Sequence, residues 1–441
     1  MIQIISPDKK VTSILGFQKK TKDEPVRLLS FCIVNDVPDG RLLYNNLTKE
    51  LVFLSPEESA QMYASEDLFA RWFLVPNKFD DKRILSELTS LGKSIQQYQS
   101  QQKTYTILPT TACNARCFYC FERNLKPTSM TQETAQATIT FIKNSTPSKR
   151  ARIRWFGGEP LFAMDNIDFI CESLKNEITF SSSMTTNGYL LSPQILPKAK
   201  ALWNLKNVQI TLDGTREIYN RTKNYIYSDG DAFQTVLNNI NHAAAEGIRV
   251  SLRLNIGQHN KEDLYNLIEE LSGCLEPKEN IHLYVIPLFE KEGFVPINRS
   301  TSERTDLYNH ADDLESLAIR HGFQPSPKGS LSSFRFYRCL ADNPSSIVIN
   351  ADGSLLRCEH IHSNASVGTV FDGNNSTSLG VWKKYYPLTP LCENCPLLPS
   401  CQRPEGCIEA ESCFIEIKKH RIKILEDQIL SKYKRFKEKN S

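Results

Sequence analysis

Cys113, Cys117 and Cys120 stand in the run Cys113-Asn-Ala-Arg-Cys117-Phe-Tyr-Cys120, a C-x3-C-x2-C spacing. Short-spaced cysteines on one loop can turn their thiolates to a common point, and runs of this kind ligate iron–sulfur cubes. Three thiolates would hold three irons of a [4Fe–4S] cube and leave the fourth iron open to another ligand. A three-ligand zinc loop and incidental core cysteines are the competing readings of the same residues. A second concentration lies further on. Cys339 and Asp352-Gly353-Ser-Leu-Leu-Arg-Cys358 are followed by Cys392-x2-Cys395-x5-Cys401, then Cys407 and Cys413. Taken alone, this tail reads equally well as a zinc ribbon or as an iron–sulfur site.

Thirteen cysteines in all need a reason. The opening Met-Ile-Gln-Ile-Ile-Ser-Pro-Asp-Lys-Lys is too short and polar for a signal peptide, and no run of apolar residues is long enough to span a membrane. A cytoplasmic chain is therefore expected. In that compartment disulfides are disfavoured, and cysteine patterns point to metal or catalysis. Cys32, Cys171 and Cys274 stand alone in apolar or helical surroundings and read as structural. The formal charge of +3 argues neither for nucleic acid nor for an acidic surface, and 441 residues allow two or three domains.

Something must hold these cysteines in place. Residues 1–100 read as a small α+β domain, with strands over 27–34, 41–45 and 50–54 and a turn at Pro38-Asp39-Gly40. Ser55-Pro56-Glu57-Glu58 opens a helix, and a second helix is expected over 81–96. Such a sheet could hold an extended peptide by strand addition, or serve only for packing. From residue 103 to about 288 the pattern becomes regular strand–helix alternation. Strands are expected at 104–108, 151–156, 181–185, 208–212, 249–254 and 281–286. Helices are expected to start at Ser192-Pro193 and at Asp231, the latter ending at Gly247. Repeated β-α units imply a parallel sheet. Six units are too few for a closed eight-stranded barrel, so the fold class is α/β with a partial, TIM-like (β/α)6 barrel.

Chemistry in such folds gathers at the carboxyl ends of the strands. The three-cysteine loop follows the first strand there, and Gly157-Gly158-Glu159-Pro160 the second. Thr185-Thr186-Asn187-Gly188, Asp213-Gly214 and Arg253-Leu254-Asn255 mark the next three. Five such motifs in phase with the strands are hard to explain as turns alone.

On these residues the chain resembles the radical S-adenosylmethionine enzymes. The cysteine loop, with Tyr119 before its last cysteine, is similar to that family's signature, and Gly157-Gly158-Glu159-Pro160 to its segment for the methionine amino group. The resemblance implies that the amino and carboxylate groups of S-adenosylmethionine chelate the open iron. It further implies cleavage to methionine and a 5′-deoxyadenosyl radical that abstracts a substrate hydrogen. Tyr119 would contact the adenine through its backbone, with Thr211 and Asn255 on the nucleoside side. Thr186, Asn187 and Asp213 complete the implied cofactor set. Relatives place an Arg opposite the carboxylate of S-adenosylmethionine. Here the matching run is Tyr219-Asn220-Arg221-Thr222-Lys223, which offers Lys223 or Arg221.

The tail resembles the SPASM extension of peptide-modifying radical enzymes, except that Cys407 lies six residues after Cys401. This implies one auxiliary [4Fe–4S] cluster on Cys392, Cys395, Cys401 and Cys413, and another on Cys339, Cys358 and Cys407. The second then lacks a fourth thiolate: it is either open to substrate or closed by Asp342, His360 or His362. Three clusters and S-adenosylmethionine are thus expected cofactors, with a flavodoxin- or ferredoxin-like reductant and a ribosomal precursor peptide as partners. Neither nucleic acid nor membrane is expected. The implied organisation is a possible leader-binding domain at 1–100, the barrel at 101–300 and a bridge at 301–338. The auxiliary-cluster domain then takes 339–413, and a basic amphipathic helix 414–441, with Ile417, Ile422, Leu425, Ile429 and Leu430 on its apolar side. The reaction implied is an intrapeptide cross-link, through a thioether, ether or carbon–carbon bond. Formylglycine formation on a sulfatase is the alternative within enzymes. A zinc-binding interaction protein is the alternative outside them.

Overall fold

The structure, a computed structural model, describes residues 2–7, 24–81, 83, 84, 87, 103–123, 126–227, 230–288, 291–292, 295–296, 301–325, 341, 343, 345–360, 366–374, 390–398, 401 and 415–440. It divides into two compact units. One comprises Met1–Gln99, Lys328–Cys339 and Tyr386–Ser441, the other Ser100–Pro327 and Leu340–Tyr385. The stretch 339–413, a single extension in the sequence pattern, is shared between them.

The first unit begins with β1 (Gln3–Ser6), β2 (Val26–Leu28), β3 (Cys32–Val37), β4 (Gly40–Asn45), β5 (Glu50–Leu54) and β6 (Leu74–Pro76). An antiparallel sheet runs in the order β1-β5-β4-β3, and β2 pairs separately with β6. The single strand expected over 27–34 is broken. The Cys32 amide donates to the Leu29 carbonyl at 3.0 Å, which turns the chain between β2 and β3. Ser55 caps the helix Pro56–Ala60 reciprocally with Glu58, at 3.2 and 2.9 Å. The helix expected over 81–96 lies largely outside the described residues.

Leu43, Val52, Leu54 and Phe73 form the core on one face of this sheet. On the other, Ile33, Leu42, Tyr44 and Leu51 pack against Leu425, Ile429, Leu430 and Tyr433 of the helix Ile415–Asn440. Leu425, Ile429 and Leu430 of the expected apolar side are therefore covered by the N-terminal sheet.

In the second unit β7 (Lys103–Ile107), β8 (Arg150–Trp155), β9 (Thr179–Thr186), β10 (Leu205–Leu212), β11 (Arg249–Ile256) and β12 (Ile281–Pro287) lie side by side in chain order, all parallel. This is the expected α/β partial barrel, and each strand lies within three residues of its expected bounds. A hairpin of β13 (Lys291–Glu292) and β14 (Val295–Pro296) follows, and β15 (Gln324–Pro325) adds to β12. Beyond the expected six, β16 (Ser346–Ile349) pairs parallel with β7. Then β17 (Ser354–Leu356), β18 (Gly368–Thr369) and β19 (Gly373–Asn374) extend that edge antiparallel.

Helices including Gln132–Ser145, Met164–Leu174, Ala232–Ala245 and Asp263–Cys274 bury Ile153, Trp155, Met184, Ile210, Leu252 and Val285 of the sheet in one core. The alternate strand positions are polar and half-buried: Ser181, Ser183 and Thr185 on β9; Asn207, Gln209 and Thr211 on β10; Ser251 and Arg253 on β11. A parallel sheet packed on both faces would be apolar at every position. This one keeps a polar inner face.

Asp231 caps the helix Ala232–Ala245, which Gly247 ends with φ +76°. The helix expected to start at Ser192-Pro193 begins later, at Leu196. Ser192 and Pro193 are spent in a turn, where the Ser192 carbonyl accepts from the Ile195 amide at 3.1 Å.

Candidate active site

Cys113, Cys117 and Cys120 sit half-buried on the loop that leaves β7. The loop is pinned from three sides. Arg116 donates its amide to the Lys223 carbonyl (2.8 Å), Ile226 donates to the Asn114 carbonyl (2.9 Å), and Cys120 turns back onto the Cys117 carbonyl (3.2 Å). The Ala115 amide points at Cys113 Sγ at 3.4 Å, and Asn187 Nδ2 at 3.9 Å. Burial pushes the Cys113 thiol up to about 12 and that of Cys120 up to about 11, and raises Cys117 as well. Burial alone thus opposes ionisation, and each thiolate would raise its neighbours further; a bound cationic centre relieves both. The loop fits a cluster with one unprotected iron, its three thiols presented together and amide donors set toward sulfur. Among the described residues, no three His, Cys, Asp or Glu side chains are close enough to hold a single metal ion.

The second strand end carries the tightest backbone approach. A Cβ on Gly158 would lie 2.3 Å from the Ala112 carbonyl oxygen and 2.5 Å from that of Thr111. Gly157 has φ +124°, and its Cβ would meet the Thr110 carbonyl at 2.2 Å. Both glycines let this segment lie against the chain entering the cysteine loop, and the Glu159 amide donates to the Ala112 carbonyl at 2.9 Å.

The Glu159 side chain is fully buried and already committed. It accepts from Thr186 Oγ1 (2.7 Å), the Asn187 amide (2.8 Å) and the Leu161 amide (3.1 Å). Burial pushes its carboxyl up to about 7 against these three donors. Thr186 and Asn187 are placed at the same strand end. Asn187 Nδ2 also donates to Asn114 Oδ1 at 2.6 Å, tying the third strand end to the cysteine loop.

The fourth and fifth strand ends form a second buried network. Asp213 accepts from Lys223 Nζ (2.8 Å), the Tyr119 hydroxyl (2.7 Å) and Asn255 Nδ2 (2.9 Å). Lys223 Nζ also donates to the Tyr119 oxygen at 2.9 Å. Burial favours the uncharged amine, but Asp213 and the surrounding groups hold the Lys223 ammonium well above its usual range.

Of the two residues expected to face a ligand carboxylate, Lys223 is engaged by Asp213 and Arg221 by no group of this network. Lys223 is only 3% exposed and paired with Asp213, because leaving that buried carboxylate alone would be costly. Arg221, two residues back on the helix Arg216–Lys223, is exposed. The Asp213 and Glu159 side chains are likewise engaged by protein groups. Thr211 stands half-buried on the inner face, two residues before Asp213.

Among the auxiliary cysteines, Cys339, Cys407 and Cys413 lie outside the described residues, as do Asp342 and His362. Cys358 is buried in the second unit, with the His360 amide 3.5 Å from its sulfur. The His360 ring packs against Phe121, the residue after Cys120, at 4.6 Å with the two planes tilted by 55°. In the first unit, Cys392, Cys395 and Cys401 gather on a turn. Cys395 is buried among Leu29, Phe31, Trp72, Val75 and Leu398, with Cys392 and Cys401 packed against that cluster. Burial raises the Cys395 thiol, and Cys401 and Cys392 act in the same direction. Cys392 also lines a cavity of about 310 Å³ beside Arg27 and Asp81, which pair at 3.0 Å.

Three features of the site are absent from the sequence reading. The Tyr119 hydroxyl closes the Lys223–Asp213 pair. Asn260 donates to the carbonyls of Asp213 (2.8 Å) and Asn255 (2.9 Å), joining two strand ends. The inner face is polar along its length. Only the last had a usable signal, the period-two run of Ser, Thr, Asn, Gln and Arg on the strands.

Residues 107–271 match the model of the Radical SAM superfamily. A GTP 3′,8-cyclase of Clostridium botulinum (strain Langeland) is 25% identical over 282 residues, 60% of this chain and 84% of that one. A probable GTP 3′,8-cyclase of Methanocaldococcus jannaschii is 28% identical over 207 residues, 45% of this chain and 65% of that one. Two solved structures share the fold at low identity. Native anSMEcpe with bound AdoMet and Kp18Cys peptide superposes with a TM-score of 0.57 at 16% identity, covering 75% of this chain and 98% of that one. Streptococcus suis SuiB bound to S-adenosylmethionine gives 0.52 at 15%, covering 90% and 99%. The match falls on the strands and loops that hold Cys113, Cys117 and Cys120: residues 107–271 are a radical SAM domain.

Proposed function

We propose that the chain modifies a peptide, with one [4Fe–4S] cluster on Cys113, Cys117 and Cys120 and two auxiliary clusters on the later cysteines. When bound, the first cluster and S-adenosylmethionine supply a hydrogen-atom abstraction. The chain's residues do the rest. Gly157 and Gly158 let their segment lie against the chain entering the loop, Thr211 offers a polar contact from the inner face, and Asn255 orients Arg253 and Asp213 there. Glu159 and the Lys223–Asp213–Tyr119 group act through the loop, as positioning residues. The product we favour is an intrapeptide cross-link through a thioether, ether or carbon–carbon bond. A reductant of the flavodoxin or ferredoxin kind would feed electrons.

The observation that carries this reading is coverage. The fold of SuiB, also solved bound to its precursor peptide SuiA, spans 87–90% of this chain, including much of the N-terminal sheet unit. The Clostridium botulinum cyclase spans 60%. That sequence relationship nevertheless makes a nucleotide substrate the second reading to test.

Anaerobically reconstituted protein should absorb near ~400 nm and carry about 12 irons, and the Cys113, Cys117 and Cys120 to Ala triple variant about 8. The variant should form no 5′-deoxyadenosine under dithionite; continued formation refutes the assignment, and colourless, zinc-loaded protein refutes the clusters altogether. Co-expression with a short peptide encoded beside this chain should remove two hydrogens per cross-link. Turnover of GTP, with the peptide unchanged, would favour the second reading, and a formylglycine in a neighbouring sulfatase would replace the cross-link.

A further inference from the structure

The inner face of the parallel sheet carries a basic group that the strand-end network leaves unspent. β8 turns Arg152 and Arg154 to this face, since Ala151, Ile153 and Trp155 lie in the helix-side core. Arg154 has a partner: its Nη2 is 3.5 Å from Glu359 Oε1, and Nη1 donates to Thr106. β11 turns Arg253 to the same face, between buried Leu252 and Leu254. Glu315, a carboxylate near Tyr284, accepts the Val285 amide at 2.8 Å.

Arg253 is held but not satisfied. Its Nε donates to Asn255 Oδ1 at 2.8 Å, and Asn255 Nδ2 in turn donates to Asp213. Its two terminal nitrogens have no hydrogen-bond partner among the described residues. The side chain is half-buried, beside Gln209 and Tyr284, whose polar ends bond each other at 2.8 Å. A guanidinium oriented through Nε, partly desolvated and with its outer fork open, suits a planar carboxylate that can bind both nitrogens. A polyphosphate asks for several converging cations; of the other cations on this side Arg154 faces Glu359, Lys223 is spent on Asp213, and Arg152 stands three strands away on β8.

We propose that Arg253 is a specificity residue that binds an Asp or Glu side chain of the substrate peptide on the inner face of the sheet. This rests on the peptide-modifying reading above and narrows it to substrates with an acidic residue near the site of modification.

The test uses the full chain with clusters reconstituted and S-adenosylmethionine bound. Two fluorescein-labelled Gly/Ser peptides, one bearing Glu residues and one bearing Gln in their place, are titrated by anisotropy at low salt. The Glu peptide should bind about tenfold more tightly than the Gln peptide. Arg253→Gln should erase that preference and Arg253→Lys should keep part of it; iron content and circular dichroism report whether each variant folds. Equal affinity of wild-type protein for both peptides overturns the acidic class while leaving a peptide substrate standing. A preference that survives in Arg253→Gln overturns the residue. GTP that binds in an Arg253-dependent way, while neither peptide binds, overturns both the proposal and the reading beneath it.

Discussion

At the scale of single residues, the site is organised by buried groups that hold one another. The Lys223 and Asp213 side chains are 4% and 1% exposed, and Tyr119 brings the cysteine loop into the same contact. Removing one partner of a buried pair strands the other charge, so Lys223→Met should cost about 3–5 kcal/mol in urea unfolding. The Lys223→Met, Asp213→Asn double variant should recover a large part of that loss, because no charge is left unpaired. If Lys223 were instead a contact to a bound carboxylate, the single variant would lose ligand affinity with its unfolding midpoint unchanged. Arg221→Ala, on an exposed side chain, should shift stability by less than about 0.5 kcal/mol. Chemical type and spacing at 219–223 suggest a charge near the loop, but they do not say which atom it meets. Position 223 falls inward on its helix and Asp213 arrives from a strand; that meeting depends on packing between elements distant in sequence.

At the scale of elements, the strands were legible because most alternate between apolar and polar positions, and β8 to β11 run into Gly, Asn or Asp. The same alternation explains why β16 is harder to find. Its Ser-Ile-Val-Ile is short, buried at every position and placed in a stretch whose cysteines suggest a separate extension. The 27–34 stretch misleads in the opposite way: a mostly apolar run reads as one strand, whereas Leu29 and Phe31 turn into a core that no local pattern reveals. Strand ends also make the glycine motif testable. Gly158→Ala would drive a Cβ into the Ala112 and Thr111 carbonyls, which are backbone and cannot swing aside. The expected outcome is displacement of the cysteine loop, read as loss of about 4 of 12 irons on reconstitution with the auxiliary clusters retained. Full iron occupancy in Gly158→Ala would mean that the loop tolerates the shift.

At the scale of the whole molecule, the first unit joins chain segments from both ends. Its sheet is covered on one face by the helix Ile415–Asn440, and Tyr433 stacks on Phe53 at 5.5 Å while its hydroxyl reaches Asp39. Deleting 415–440 would expose Ile33, Leu42, Tyr44 and Leu51 together, so the truncated chain should aggregate rather than merely lose activity. The turn carrying Cys392, Cys395 and Cys401 belongs to this unit too. Cys395 lies in one cluster with Leu29 and Trp72, and Asn46 donates to the Pro396 carbonyl at 2.8 Å. If these cysteines hold a cluster, the metal is part of what keeps that core closed, since ligand binding to the folded state is linked to its stability. Stripping the iron should then raise hydrogen exchange at 29–32 and 395–398 and shift Trp72 emission toward that of solvated indole. The strands β8 to β11 should stay protected, because their core of Ile153, Trp155, Ile210 and Leu252 contains no cysteine ligand. Unchanged exchange at 29–32 after complete iron removal would show that Cys395 is only a core residue there, and the auxiliary site would have to be sought elsewhere.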